Sequence, residues 1–310
     1  MKTKRIAILF LITLTAAGIS PLKAQDGSRG GTFLPLGWDA EGEGMAGAAT
    51  LLIRSDASGY WNPANLCLLE NRHITLGSTK PVPGMPAYYS ILSAGTALLD
   101  RRTAMGNLSP FRRLGAAVTV SHLNLELAKG SAWNESTIGL AGAFSINHMT
   151  SVGVSLKFLK GWNDLENADS WGTSIDLGFT ARIREDTWFG IAGRNFFSAV
   201  YYPDRDEEIT PSWNMAISQE NIMDRLDIEA DAVFRDGEMN RVLIGGRVRV
   251  YKDLFGVVAG MDRRLTNSAR NILHFGFLSS YRSADISISF KLDPEDAFDK
   301  QTYLSIGYGL

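Results

Sequence analysis

From about residue 72 onward, this chain alternates apolar and polar side chains with period two, in segments of about 9 to 13 residues. One segment carries Ile138, Leu140, Phe144 and Ile146 on one face and Thr137, Gly139, Ala141, Ala143 and Ser145 on the other. After the short turn Asn147-His148-Met149-Thr150, the next sets Val152, Val154, Leu156 and Phe158 against Gly153, Ser155 and Lys157. Further on, Ile175, Leu177, Phe179 and Ile183 oppose Asp176, Gly178, Thr180 and Arg182. Leu226, Ile228, Ala230, Ala232 and Phe234 oppose Asp227, Glu229 and Asp231, and Val242, Ile244, Val248 and Val250 oppose Gly245, Arg247 and Arg249. Ile286, Ile288, Phe290 and Leu292 oppose Ser287, Ser289 and Lys291. Successive side chains of a strand point to opposite faces, so each segment is a ribbon with one greasy and one polar side.

Such ribbons bury the greasy side in one of two ways. A soluble sandwich packs it inward, whereas a membrane barrel turns it toward lipid. The segments here approach the ~9–11 residues that a tilted membrane strand needs. Short and longer connections alternate between them. Aromatic residues gather near segment ends: Trp162, Trp171, Trp188, Phe196, Phe197, Tyr201, Tyr202, Trp213, Tyr251, Tyr281 and Tyr303. That placement suits the interfacial girdles of a barrel. Segments fall near 72–79, 87–98, 113–124, 135–147, 150–161, 170–183, 186–198, 210–220, 225–235, 240–250, 254–264, 269–281, 284–292 and 302–310. We therefore expect an all-β fold, a transmembrane antiparallel barrel of about fourteen strands, an even number as single-chain bacterial barrels require. Leu304, Ile306, Tyr308 and Leu310 share one face of the last segment. An amphipathic terminal strand of this kind resembles the signal read by the barrel-insertion machinery.

The N-terminus reads as a targeting segment. Lys2, Lys4 and Arg5 precede the apolar run Ile6 to Ala17, and Gly18, Pro21 and Ala24 follow. The run falls short of the ~20 residues of a spanning helix, so residues 1–24 read as a cleaved signal peptide. A formal net charge of -2 gives no basic field for nucleic acid. Cys67, the single cysteine, lies in the apolar stretch Leu66-Cys67-Leu68-Leu69 and reads as a packed small hydrophobe. A barrel needs no disulfide staple, because its ladder closes on itself.

Residues 31–71 do not alternate, and 25–71 read as a plug ahead of a barrel over 72–310. Asn62 before Pro63 is a good helix start, since Asn caps free amides and Pro tolerates the first helical position, and a short helix is expected over roughly 63–69. The stretches Gly44-Met45-Ala46-Gly47-Ala48, Asp56-Ala57-Ser58 and Tyr60-Trp61-Asn62-Pro63-Ala64-Asn65-Leu66 resemble the PorV/PorQ branch of FadL-like outer-membrane proteins. The resemblance implies an N-terminal segment folded into the lumen of a fourteen-strand barrel. It also implies a role as an accessory of type IX protein secretion, with partners in the translocon or the surface-attachment machinery.

With greasy faces toward lipid, the other faces form the lumen. Asp227, Glu229 and Asp231 are expected to face Arg247 and Arg249 on the next strand, with Asp176, Arg182 and Arg194 adding charge. Opposite charges across a ladder contribute about 0.2–1 kcal/mol per pair. Such an interior reads as a salt-bridge network around the plug more than as a solute path. It argues against fatty-acid-like uptake, while leaving room for a small hydrophobic ligand where Phe33, Leu34, Leu36 and Trp38 line the plug. FadL-like transport of small hydrophobic compounds, or a structural barrel in another envelope complex, are the alternatives. No enzyme, cofactor or metal site is expected. The four histidines are followed two positions on by Thr75, Asn124, Thr150 and Gly276, never by the serine of a barrel hydrolase. Asp262-Arg263-Arg264 reads as a solvated strand end.

Overall fold

In the computed structural model, the described residues are 36–81, 86–100, 113–126, 131–163, 168–202, 206–251, 254–265, 269–293 and 300–310. The expected signal segment, and with it Phe33 and Leu34, lies outside them.

Fifteen strands follow three short helical pieces. They are β1 (His73–Thr79), β2 (Ala87–Asp100), β3 (Arg113–Glu126), β4 (Ala132–Ser145), β5 (Thr150–Asn163), β6 (Ala168–Arg184), β7 (Thr187–Tyr201), β8 (Asp206–Glu208), β9 (Ser212–Ile222), β10 (Leu226–Arg235), β11 (Glu238–Tyr251), β12 (Phe255–Arg264), β13 (Arg270–Tyr281), β14 (Ala284–Leu292) and β15 (Gln301–Gly309). Each pairs antiparallel with its neighbour, and β1 pairs with both β2 and β15, so the sheet closes into a barrel. Leu310 donates its N–H to the Arg72 carbonyl and ties off the seam. β8 is not a stave of its own. It pairs with the end of β7 beyond the stretch where β7 pairs with β9, so it prolongs the course of β9 after a break. Fourteen staves remain, as the periodicity predicts.

The alternation sorts as a barrel requires. Leu76, Ile138, Leu140, Phe158, Phe277, Ile286, Leu304, Ile306 and Tyr308 are exposed on the outer face, with Leu76 at 56% and Phe277 at 54%. In water that surface would be untenable, whereas against acyl chains it carries no cost. The closed ladder leaves no unpaired edge for lipid to meet. Trp162, Trp171, Trp213, Tyr251 and Tyr281 also face outward, and Trp171 stacks on Tyr201. Three residues expected in the girdle turn inward instead, Tyr202 among them, packed against the lumenal cluster. Trp188 packs on Leu51 of the plug, and the Tyr303 hydroxyl donates to Gln301 inside the lumen. Each belongs by parity to the lumenal face, and parity overrides the aromatic preference for the interface.

Most turns are short at one end of the barrel, where β4–β5, β6–β7, β9–β10, β11–β12 and β13–β14 connect and where β1 starts and β15 stops; the exception there is the connection from β2 to β3, residues 101–112. Most connections at the other end are longer. In outer-membrane barrels the short turns face the periplasm and the longer loops the outside. The ladder between β6 and β7 is the least regular, with register shifts near Thr173, Ile175 and Arg182 and left-handed backbone at Asn195 and Phe197.

Candidate functional site

Residues 36–71 run through the lumen and fill it. Asp39 caps the short helix α1 (Ala40–Gly44) by accepting from the Gly42 N–H. A second piece, α2 (Ser58–Trp61), runs into a 3-10 helix over Pro63–Leu68. Asn62 accepts from the Ala64 N–H there, and Pro63 occupies the first turn, as the sequence predicts. Trp38 stacks on Tyr60, which meets Trp61 edge to face. Met45, Leu51, Ile53 and Leu66 are fully buried. Gly47 takes a left-handed turn at φ 76, and Ala46 beside it shares that conformation at φ 60. Cys67 is buried among Leu66, Leu69, Ala117 and Ala141.

Two features seat the plug. The first is a set of glycines in register across the barrel wall. Gly153 on β5 is the partner of Gly178 on β6, and Gly245 on β11 is the partner of Gly260 on β12. The backbone of Pro63 and Ala64 lies against the first pair and the Met45 carbonyl against the second, so close that a Cβ at any of the four would overlap it. Only glycine admits that approach.

The second feature is a set of buried polar anchors. Asp56 accepts from Ser93, from the Thr75 hydroxyl at 2.9 Å and from His73 Nδ1 at 2.6 Å, while Asp285 engages His73 Nε2. Glu229 accepts the Leu51 and Leu52 N–H groups at 2.8 Å each, and Asp231 accepts from the Thr50 hydroxyl. Asn62 donates to the Thr50 carbonyl and to Thr180, whose hydroxyl donates in turn to Asn65. Buried polar groups persist only when partnered, so these contacts fix the path of the plug as well as its place.

The lumenal charges are arranged differently from expectation. Asp227 does pair with Arg247 at 3.0 Å and with Arg249. Glu229 and Asp231 do not face those arginines, because register sets them opposite Gly245 and Leu243. The plug takes their hydrogen bonds instead. Asp176 pairs at 2.8 Å with Lys157, which the periodicity places on the polar face but which was not among the expected lumenal charges. Arg182 lies at the periplasmic end of the lumenal face, over the Trp188 ring at 5.5 Å, and donates to the Glu185 carbonyl rather than to a carboxylate. Arg194 lies over the Tyr60 and Trp61 rings, 4.9 and 5.3 Å from their centroids, and donates to the Trp61 carbonyl. Asp262 is not solvated. It is buried and accepts a bidentate pair of bonds from Arg241, because its position on β12 has inward parity.

The plug divides the interior. On its outer side Tyr89, Ile91, Leu159, Val200 and Ile209 form one apolar cluster with Trp38, Tyr60 and Trp61, with Leu36, Leu123 and Tyr202 packed against it. On its periplasmic side lies a cavity of about 360 Å3 whose walls combine Glu41, His73, Arg247, Arg249 and Asp285 with Phe255 and Leu278. Burial pushes the Asp39 carboxyl up to about 7, helped by the nearby Glu41 charge, and burial pushes Glu43 up to about 8. Burial also opposes ionisation of Asp56, but the bonds from His73, Ser93 and Thr75 outweigh it and hold that carboxyl below its usual range. The signs are opposite. The contribution of Asp39 and Glu43 is full below about pH 4 and is lost as pH rises through about 7 and 8, whereas that of Asp56 is present above about pH 4 and lost in stronger acid. Plug docking should therefore loosen between about pH 6 and pH 9. Limited proteolysis of the plug across that range checks this. The double variant Asp39→Asn, Glu43→Gln should flatten the profile, and a wild-type profile that is already flat would count against the assignment.

A closed fourteen-strand antiparallel barrel with an apolar outer belt and a plugged lumen is a Gram-negative outer-membrane protein in its architecture. Among solved structures the same fold occurs in the CymD monoaromatic hydrocarbon channel, with TM-score 0.63 and 15% identity over 89% of this chain and 98% of that one. A Pseudomonas aeruginosa FadL homologue gives 0.60 and 12% over 88% and 98%. The Pseudomonas putida toluene transporter TodX gives 0.60 and 13% over 87% and 96%. No protein-family model and no curated protein matches the chain. The fold is thus that of FadL-like outer-membrane channels, and nothing in these comparisons singles out PorV/PorQ.

Proposed function

We propose that this protein is a non-enzymatic outer-membrane channel for small hydrophobic compounds, with the plug as its closure. The observation that carries this reading is the division of the lumen: a packed apolar cluster on the outer side of the plug and a water-accommodating cavity with mixed walls on the periplasmic side. A compound leaving an aqueous exterior gains from the first, and the second offers it an aqueous exit. Of the charges that argued against such uptake, Glu229 and Asp231 are occupied in seating the plug, Asp227, Arg247 and Arg249 pair at the periplasmic end, and Asp176 is neutralised by Lys157. The hydrocarbon channels and toluene transporters that share the fold support the same reading.

The accessory role in type IX secretion takes second place. The residues that resemble PorV/PorQ, including Gly44, Met45, Asp56, Tyr60, Trp61, Asn62, Pro63 and Leu66, are all buried against the plug or the wall and present no surface to a protein partner. Uptake of labelled toluene by cells with and without the gene is the direct test. We expect uptake to fall several-fold on deletion and to return on complementation. Unchanged uptake, together with co-purification of secretion components from gently solubilised membranes, would reverse the order of the two readings.

A further inference from the structure

Beside the outer apolar cluster lies a buried carboxyl oxygen with no partner among the described residues. Glu135 stands on β4 near its outer end, 5% exposed. One of its oxygens, Oε1, accepts from Trp133 Nε1 at 3.0 Å. The other, Oε2, is buried without a hydrogen-bond partner among the described residues, and so is the hydroxyl of Thr137 two positions on, 3% exposed. The two share a face of β4. Glu135 lines a crevice of about 10 Å3 with Leu159, Lys160, Gly161, Ser170, Val200 and Tyr202, room for one hydroxyl-sized group; the Lys160 ammonium is paired with Asp169. Leu159 and Val200 belong to the apolar cluster against the plug, and Tyr202 packs on it.

A buried carboxyl oxygen left unpartnered is costly, and natural proteins keep such groups where something else completes them. An all-hydrocarbon compartment would have no use for one. We infer that the compartment selects apolar compounds that carry one hydrogen-bond donor, such as phenols, whose hydroxyl donates to Glu135 Oε2 while the ring rests on the apolar cluster. This rests on the channel reading and narrows its substrate class. The physical basis is an asymmetry. A hydrogen bond to a buried carboxyl oxygen offsets its lost hydration, and a hydrocarbon of the same shape leaves that acceptor buried and empty.

The test is equilibrium binding of p-cresol and of toluene to the full chain in lipid nanodiscs, each corrected for partition into empty nanodiscs. We expect p-cresol to bind roughly tenfold or more tightly than toluene. Glu135→Leu should bring the two within about twofold, with toluene gaining. Thr137→Val, a near-isosteric change, should reduce the preference in the same direction and serves if Glu135→Leu fails to fold. Equal binding of both compounds by the wild type overturns the proposal and leaves the channel reading standing, as does a preference that survives in either folded variant. Binding of neither compound overturns both.

Discussion

Replacing Gly153 with valine should expel the plug from an otherwise intact barrel. A Cβ at that position would lie 2.4 Å from the Pro63 carbonyl carbon and 2.5 Å from the Ala64 nitrogen. Both are backbone atoms, held in place by the Asn62 cap and by the bonds from Asn62 and Asn65 to Thr50. Neither side can yield by a rotamer change, so the expected loss of docking energy is about 3 kcal/mol or more, at the upper end of overpacking costs. The barrel ladder does not depend on this glycine's side of the wall, and valine favours strands. The expected result is a folded barrel that still shifts on heating in a gel, whose plug is cut by protease and whose conductance in planar bilayers rises well above wild type. Gly142→Val is the control, because a Cβ there meets nothing within 4 Å. A closed, protease-resistant Gly153→Val protein would show that the plug is not seated where the geometry puts it.

The second large effect is at Asp56. Its carboxylate collects three donors from three lumenal residues, so Asp56→Ala strands Ser93, Thr75 and one nitrogen of His73 at once. Removing one partner from a buried charged network costs about 3–5 kcal/mol. By comparison, Thr75→Val or Ser93→Ala should each cost about 1 kcal/mol, since each removes a single bond. The measurement is plug protection in a series of these variants at near-neutral pH. A loss at Asp56→Ala no larger than at Thr75→Val would mean that the three bonds are not working together.

Much of this was legible in the residues. Period two over β1 to β15 is a statement about two faces, and it fixed both the all-β class and the direction of each side chain once lipid was chosen as the partner of the greasy one. The same parity, applied strictly, would have placed Trp188, Tyr303 and Asp262 inside, where the structure has them. Lys157 could have been found by the same rule, as the lumenal cation on the strand next to Asp176. Asn62-Pro63 gave the start of the helical piece because capping is local chemistry.

The rest depended on which residues meet across the lumen. Glu229 and Asp231 looked like partners for Arg247 and Arg249, because adjacent strands with opposite charge suggest a ladder of pairs. Register decided otherwise, and it is set by the turn between β10 and β11 together with the register shift between Val233 and Phe234. The glycine pairs Gly153/Gly178 and Gly245/Gly260 carry no local signal at all, since their meaning comes from a backbone over 80 residues away in sequence. The partnerless oxygen of Glu135 is likewise invisible in a string of letters. The sequence by itself determined a closed membrane barrel, because local alternation is enforced residue by residue by the strand's own geometry and by lipid. Only the tertiary structure decided what the charges, glycines and plug do, because those roles are set by distances between segments that the chain's local chemistry does not specify.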